Sequence, residues 1–287
     1  MRLTAEAENR KQAERFLAAG ADEILFTLED GCFSAPAGVS EDLITEMYEE
    51  GMPVRAVMDR LFHPRDIEPA EESMMRLLSA GVPVTCADPA LIRKAMQNGL
   101  AHLVTYRPQT LAVSAQDVSW WLSCGLQSVC VSPLLTEEET LQILQDTGGA
   151  EVQLHGYTVL SVSGRPLLSA YAEKEELPQT LRGRRDLYMT EEQRAGRMPV
   201  YENEHAFTAY SDYVLESFAQ VKAFRDAGAV RGVICTAYLS EDYVCDTLRI
   251  YRSILAGTDP AEALAEYWKK YAEIPMEEGY YHEGTIL

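Results

Sequence analysis

Two polar clusters each close off an apolar run in the middle of the chain. The run Val152-Gln153-Leu154 ends in His155-Gly156, and the run that follows ends in Ser163-Gly164-Arg165-Pro166. A histidine at the end of an apolar strand can move a proton near neutral pH. An arginine after two small residues sits on a turn that would aim its guanidinium at a carboxylate or phosphate. An ion pair with Glu202 or Asp212 is the plainer reading of Arg165. Downstream, Glu202, Glu204 and His205 form a third cluster of first-row metal-ligand types. Their spacing lacks the two-histidine helical logic of a zinc hydrolase, so a solvated loop or lid is the simpler account. His155, Arg165 and Glu202 are thus the candidate catalytic groups. Gly156, Ser163, Gly164, Tyr201 and Asp212 are candidate substrate-binding positions, and no metal site is assigned. Ser163 lacks the glycine two residues earlier that a GxSxG nucleophile turn requires.

The elements that must position these groups follow from a repeat. Helical runs end at Gly20, Gly51, Gly81, Gly99, Gly125, Gly148 and Gly228, and each is followed within a few residues by a short apolar run. Glycine just past a helix takes the left-handed conformation that closes the last turn. A continuously apolar run suits a parallel strand buried on both faces. With a first strand near Arg2-Leu3-Thr4 this makes eight strands alternating with helices. The expected fold is α/β, a single-domain, eight-stranded parallel TIM-like barrel spanning 1–287. An open doubly wound sheet is the alternative, but its GxGxxG turn is missing. The repeat breaks after the seventh strand, where residues 157–212 read as an insertion over the barrel mouth. Helices are expected at Tyr213–Ala227, Asp242–Leu255 and Ala261–Lys270, the last within a C-terminal segment 260–287.

The composition narrows the partners. The formal net charge is −20, from 25 Lys+Arg against 45 Asp+Glu, and such a surface repels nucleic-acid phosphate at long range. Arg182-Gly183-Arg184-Arg185 is the best candidate for a local basic patch, and it reads as a solvated loop. No window of eighteen apolar residues exists, so no membrane span is expected. The acidic start, Met1 to Glu8, lacks the apolar centre of a signal peptide, and a cytoplasmic location is the default expectation. Cysteines stand at 32, 86, 124, 130, 235 and 245 with no CxxC pair, so structural zinc spacing is absent. Cys86, Cys130 and Cys235 fall near the ends of alternate strands. They would converge on a metal if all three faced the mouth, but small core residues are the simpler reading.

The same residues resemble a known family. His155-Gly156, then Ser163-Gly164-Arg165 with Leu167-Leu168-Ser169, is similar to the signature of the collagenase-like peptidase family U32. Pro199-Val200-Tyr201-Glu202-Asn203-Glu204 with Ser211-Asp212, and the run Tyr243 to Arg252, resemble later family segments. Upstream, Ala19-Gly20-Ala21-Asp22, Leu61-Phe62-His63 and Ala87-Asp88-Pro89 fit its early units. The resemblance implies a relation to iron–sulfur proteins of RNA and quinone hydroxylation, and to their partner subunits. In the iron–sulfur members a cysteine follows Ser-Gly-Arg. Here Pro166 does, and no cysteine occurs between 131 and 234. The cluster is therefore not expected. The chain resembles a short, cysteine-poor branch, and the expected role is an accessory or pseudoenzyme subunit paired with a cysteine-bearing homologue, in a pathway resembling tRNA uridine 5-hydroxylation. That role meets tRNA only indirectly. An enzyme acting on a small anionic or carbonyl substrate, and a genuine collagenase-like peptidase, are the alternatives.

Overall fold

The computed structural model describes residues 1–29, 31, 38–192 and 196–282. Cys32 and the end of the tail, 283–287, lie outside the described residues. Strands β1 (Arg2–Ala7), β2 (Glu23–Thr27), β3 (Val54–Met58), β4 (Val84–Cys86), β5 (Val104–Tyr106) and β6 (Ser128–Cys130) pair in parallel, each with the next. β7 (Ala150–Ser163) continues the ring from β6. Helices α1 (Arg10–Ala19), α2 (Glu41–Glu49), α3 (Ile67–Ser79), α4 (Pro89–Gln97), α5 (Ala115–Ser123) and α6 (Glu137–Thr147) alternate with them. All seven junction glycines have positive φ, from 66° to 118°. Polar side chains start the helices: Ser40, Asp88, Ser114 and Thr136 each accept a first-turn N–H, and Thr136 with Glu139 forms a capping box.

The seventh strand departs from expectation. Its first half closes the barrel, but the strand runs on through Ser163, well past the expected insertion boundary. After α7 (Leu167–Lys174) come β8 (Tyr188–Met189), β9 (Met198–Glu202) and β10 (Phe207–Glu216). These form an antiparallel arm in the order β7-β10-β9-β8. The helix expected over Tyr213–Ala227 is corrected: Tyr213 to Glu216 belong to β10, and α8 is only Val221–Asp226. Tyr213-Val214-Leu215 is an apolar run too short for periodicity to separate strand from helix. β11 (Arg231–Ile234) pairs with both β7 and β1 and closes an eight-stranded parallel ring. α9 (Glu241–Leu255), α10 (Ala261–Lys270) and β12 (Met276–Glu277) finish the described chain, with β12 beside β10.

The main apolar core lies between the ring and its helices, and a small layer of Leu25, Val57, Val233 and Cys235 fills the barrel. The bottom of the barrel is ionic. Arg231 donates to Glu23 and Glu151, each at 2.9 Å, and Arg55 donates to Thr105 at 2.7 Å and to Gln127. Burial opposes the charge of Glu151, but Arg55, Arg231 and Ser128 outweigh it and hold its carboxyl below the usual range.

Candidate functional site

His155 ends the barrel half of β7 and is fully buried. Its Nε2 lies 2.7 Å from Tyr243 Oη and its Nδ1 3.3 Å from Tyr251 Oη. Tyr251 gives its own proton to the Leu154 carbonyl at 2.8 Å, so Nδ1–H donates to Tyr251 and Nε2 accepts from Tyr243. Phe218 closes a third side, with ring centroids 5.5 Å apart. Burial pushes the imidazole down to about 3. His155 is therefore a neutral, doubly engaged core group, and it does not reach the mouth. Gly156 follows at φ 108°, where a Cβ would stand 2.1 Å from the Cys235 carbonyl oxygen. Only glycine lets β7 pass this close to β11 while turning into the arm.

Ser163, Gly164 and Arg165 form an exposed turn at the far end of β7. The Arg165 N–H donates to Ser163 Oγ at 3.1 Å, and among the described residues the guanidinium makes no ion pair. Pro166 is the N-cap residue of α7. Glu202 is buried on β9 and accepts from the Leu168 N–H at 2.7 Å and from the Ser169 N–H and hydroxyl. It caps the exposed helix start. Its guanidinium neighbour is Arg182, at 3.7 Å, and not Arg165. Tyr201 is buried beside it in the strand. The Asp212 carboxylate occupies the space over Gly196, where a Cβ would fall 2.2 Å from Oδ2. Ser211 fills the β10 bulge, accepting from the Thr158 N–H at 3.0 Å and donating to the Tyr213 carbonyl at 2.6 Å. His155, Arg165 and Glu202 are thus held in three different settings and share no contact. Glu204 and His205 line a separate cleft of about 440 Å³ with Arg60, Arg65 and Asp66.

The strand ends bring together groups that spacing could not show. Arg107, just past β5, donates from both terminal nitrogens to Glu6 Oε1 on β1, each at 3.0 Å, and to Cys235 Sγ at 3.3 Å. The Thr236 N–H also donates to Glu6, at 3.4 Å. Asp59, just past β3, is fully buried and accepts from Gln109 Nε2 at 3.0 Å. Gln109 has φ 59° and Tyr238, in the loop after β11, has φ 65°. Left-handed non-glycine residues are strained and gather at functional sites. This cluster is assembled from four strand ends, and the only sequence trace of it is polar residues directly after apolar runs.

The three strand-end cysteines do not form a donor set. Burial raises the thiols of Cys86 and Cys235 to about 12, and burial with Glu151 raises that of Cys130. Cys130 donates to Glu151 at 3.5 Å, Cys86 donates to the Asp88 carbonyl at 3.7 Å, and Cys235 receives Arg107. Among the described residues no three His, Cys, Asp or Glu side chains are grouped to hold a metal. Thiols held protonated and turned to separate partners do not fit an iron–sulfur cluster. No helix of the described chain is long and apolar enough to cross a membrane.

No curated protein matches the chain. Solved structures similar to it share little sequence identity. Phosphoribosylanthranilate isomerase from Thermotoga maritima is 10% identical, covering 90% of this chain and 99% of its own, with a TM-score of 0.48. Dihydropteroate synthase from Thermus thermophilus is 15% identical over 92% and 94%, with a TM-score of 0.44. The family model described as peptidase family U32 matches residues 8–285. With nearly every described element inside that match, from the barrel through the arm to the tail, the chain belongs to peptidase family U32.

Proposed function

We propose that this U32 chain performs no redox chemistry of its own. It serves as the accessory or pseudoenzyme subunit of a cysteine-bearing U32 homologue, in a cytoplasmic pathway resembling tRNA uridine 5-hydroxylation, and meets tRNA only through that partner. The observation that carries the reading is the Ser163-Gly164-Arg165-Pro166 turn. Where a cluster thiolate would stand, a proline begins α7, and buried Glu202 is committed to capping that helix. The locked, neutral His155 supports the same reading. So does the apolar exposure of Leu61, Leu111 and Val113 on loops after β3 and β5, which suits a protein contact better than an RNA contact. The test is co-expression with the cysteine-bearing homologue, with a tag on this chain. A shared size-exclusion peak is expected, together with loss of tRNA 5-hydroxyuridine when this chain is deleted. Separate peaks with undiminished hydroxylation would sink the reading, and so would stoichiometric iron and sulfide on anaerobically purified protein.

A second reading is favoured by the strained Gln109–Asp59 pair beside Arg107, namely a small anionic or carbonyl ligand bound at the strand ends. Such a ligand raises thermal stability by linkage. Gln109→Gly should abolish that rise while leaving the unliganded protein folded, and an unchanged rise rules the site out.

A further inference from the structure

The arm differs from the body in both charge and polarity. Residues 157–212 contain seven Lys/Arg and nine Asp/Glu, so they carry −2 of the −20 net charge and leave −18 to the rest. The arm also concentrates exposed apolar side chains: Val162, Leu167, Tyr171, Leu177, Tyr188 and Met189 are each 37% exposed or more. Their inward neighbours explain the arrangement. Leu168 and Leu187 pack against the arm's own small core of Val200, Phe207 and Ala209. α7 is thereby anchored on one side by Leu168 and exposes Leu167 and Tyr171; on β8 Met189 is exposed, whereas Tyr188 lines a cleft with Tyr238 and Leu239 and carries the Arg197 guanidinium over its ring. β8 ends the sheet, with β9 on one side and, among the described residues, no strand on the other. The unpaired N–H and C=O groups of such an edge are a template for pairing, and the exposed apolar face of α7 beside it would supply most of the buried area.

We propose that this edge is a self-association surface, on which a second copy of the chain docks arm to arm about a two-fold axis. β8 would lie antiparallel to its symmetry mate, and α7 would flank the contact. The charge distribution selects this occupant. Near-neutral arms can meet with less repulsion than two strongly acidic bodies would. A nucleic acid is disfavoured because three of the arm's guanidiniums are already paired: Arg184 with Asp186 at 2.6 Å, Arg185 with Glu8 at 3.0 Å and Arg182 with Glu202 at 3.7 Å. The contact is independent of the accessory role.

Light scattering behind size exclusion, at roughly 50 µM protein, tests the proposal. The native chain should run at twice its 32.0 kDa mass. Met189→Lys on β8, and separately Tyr171→Lys on α7, should run as monomers with unchanged melting and circular dichroism. A monomeric native chain overturns the proposal, as does a dimer that survives in both variants. An association that nuclease treatment removes overturns it in favour of RNA. A one-to-one complex with the cysteine-bearing homologue that consumes the dimer and fails in the same variants overturns the choice of occupant. Failure of the homologue to bind at all leaves the dimer result readable.

Discussion

At the scale of single residues, the chemistry promised by His155 is inverted by its surroundings. A histidine after an apolar strand reads as a proton carrier, but Tyr243 and Tyr251 arrive from a helix some ninety residues later, and no local pattern announces them. The inversion has a measurable consequence. The native imidazole stays neutral down to about pH 3, whereas the unfolded one takes up a proton from 6.5 downward. Between those values the unfolded state binds more protons, so stability falls as pH falls, by up to about 1.4 kcal/mol per pH unit. His155→Gln should remove that slope, which urea titrations at about pH 5 and about pH 7 would resolve. An undiminished slope in the variant would mean the group titrates in the native state. Gly156 was legible as a turn residue but not as a contact. Gly156→Ala should cost well over the ~1 kcal/mol of an ordinary left-handed glycine substitution, because the Cβ meets backbone and not a flexible side chain. A melting temperature close to the native one would contradict that.

At the scale of elements, the helices and barrel strands were readable because each carries its own signal, a capping residue or a closing glycine. The arm was not, because its strands take their meaning from pairing partners. Phe207 to Glu216 alternates poorly and bulges at Tyr210, so its second half resembles a helix start. Glu202 was read as a solvated or catalytic carboxylate, since sequence shows the charge and not the helix lying over it. Glu202→Ala should leave the Leu168 and Ser169 N–H groups without their acceptor, at a cost of about 1–3 kcal/mol. Hydrogen exchange should locate the loss. Amides in Leu167–Lys174 should quicken while β1 to β6 keep their protection. Equal quickening in the barrel would show that α7 is not a separable element.

At the scale of the whole molecule, the closed barrel was legible from its sevenfold glycine repeat with a first strand, and β11 pairs with β1 across more than two hundred residues to close it. The closing seam is held from below by Arg231, Glu151, Glu23 and Arg55, four buried charges that satisfy one another. Glu151→Gln should leave the guanidiniums partly uncompensated and cost about 3–5 kcal/mol, read from denaturant midpoints. Because this carboxyl titrates below the usual range, its stabilisation is complete above pH 4.5 and is lost as pH falls beneath that. β7 links this scale to the others. Residues of one uninterrupted strand serve the ring first and the arm afterwards, with no linker between them. The arm is therefore not a graft that can be trimmed or exchanged like a loop. A deletion there removes the continuation of a stave, and tension applied to the arm tip is borne by the ladder that keeps the ring shut.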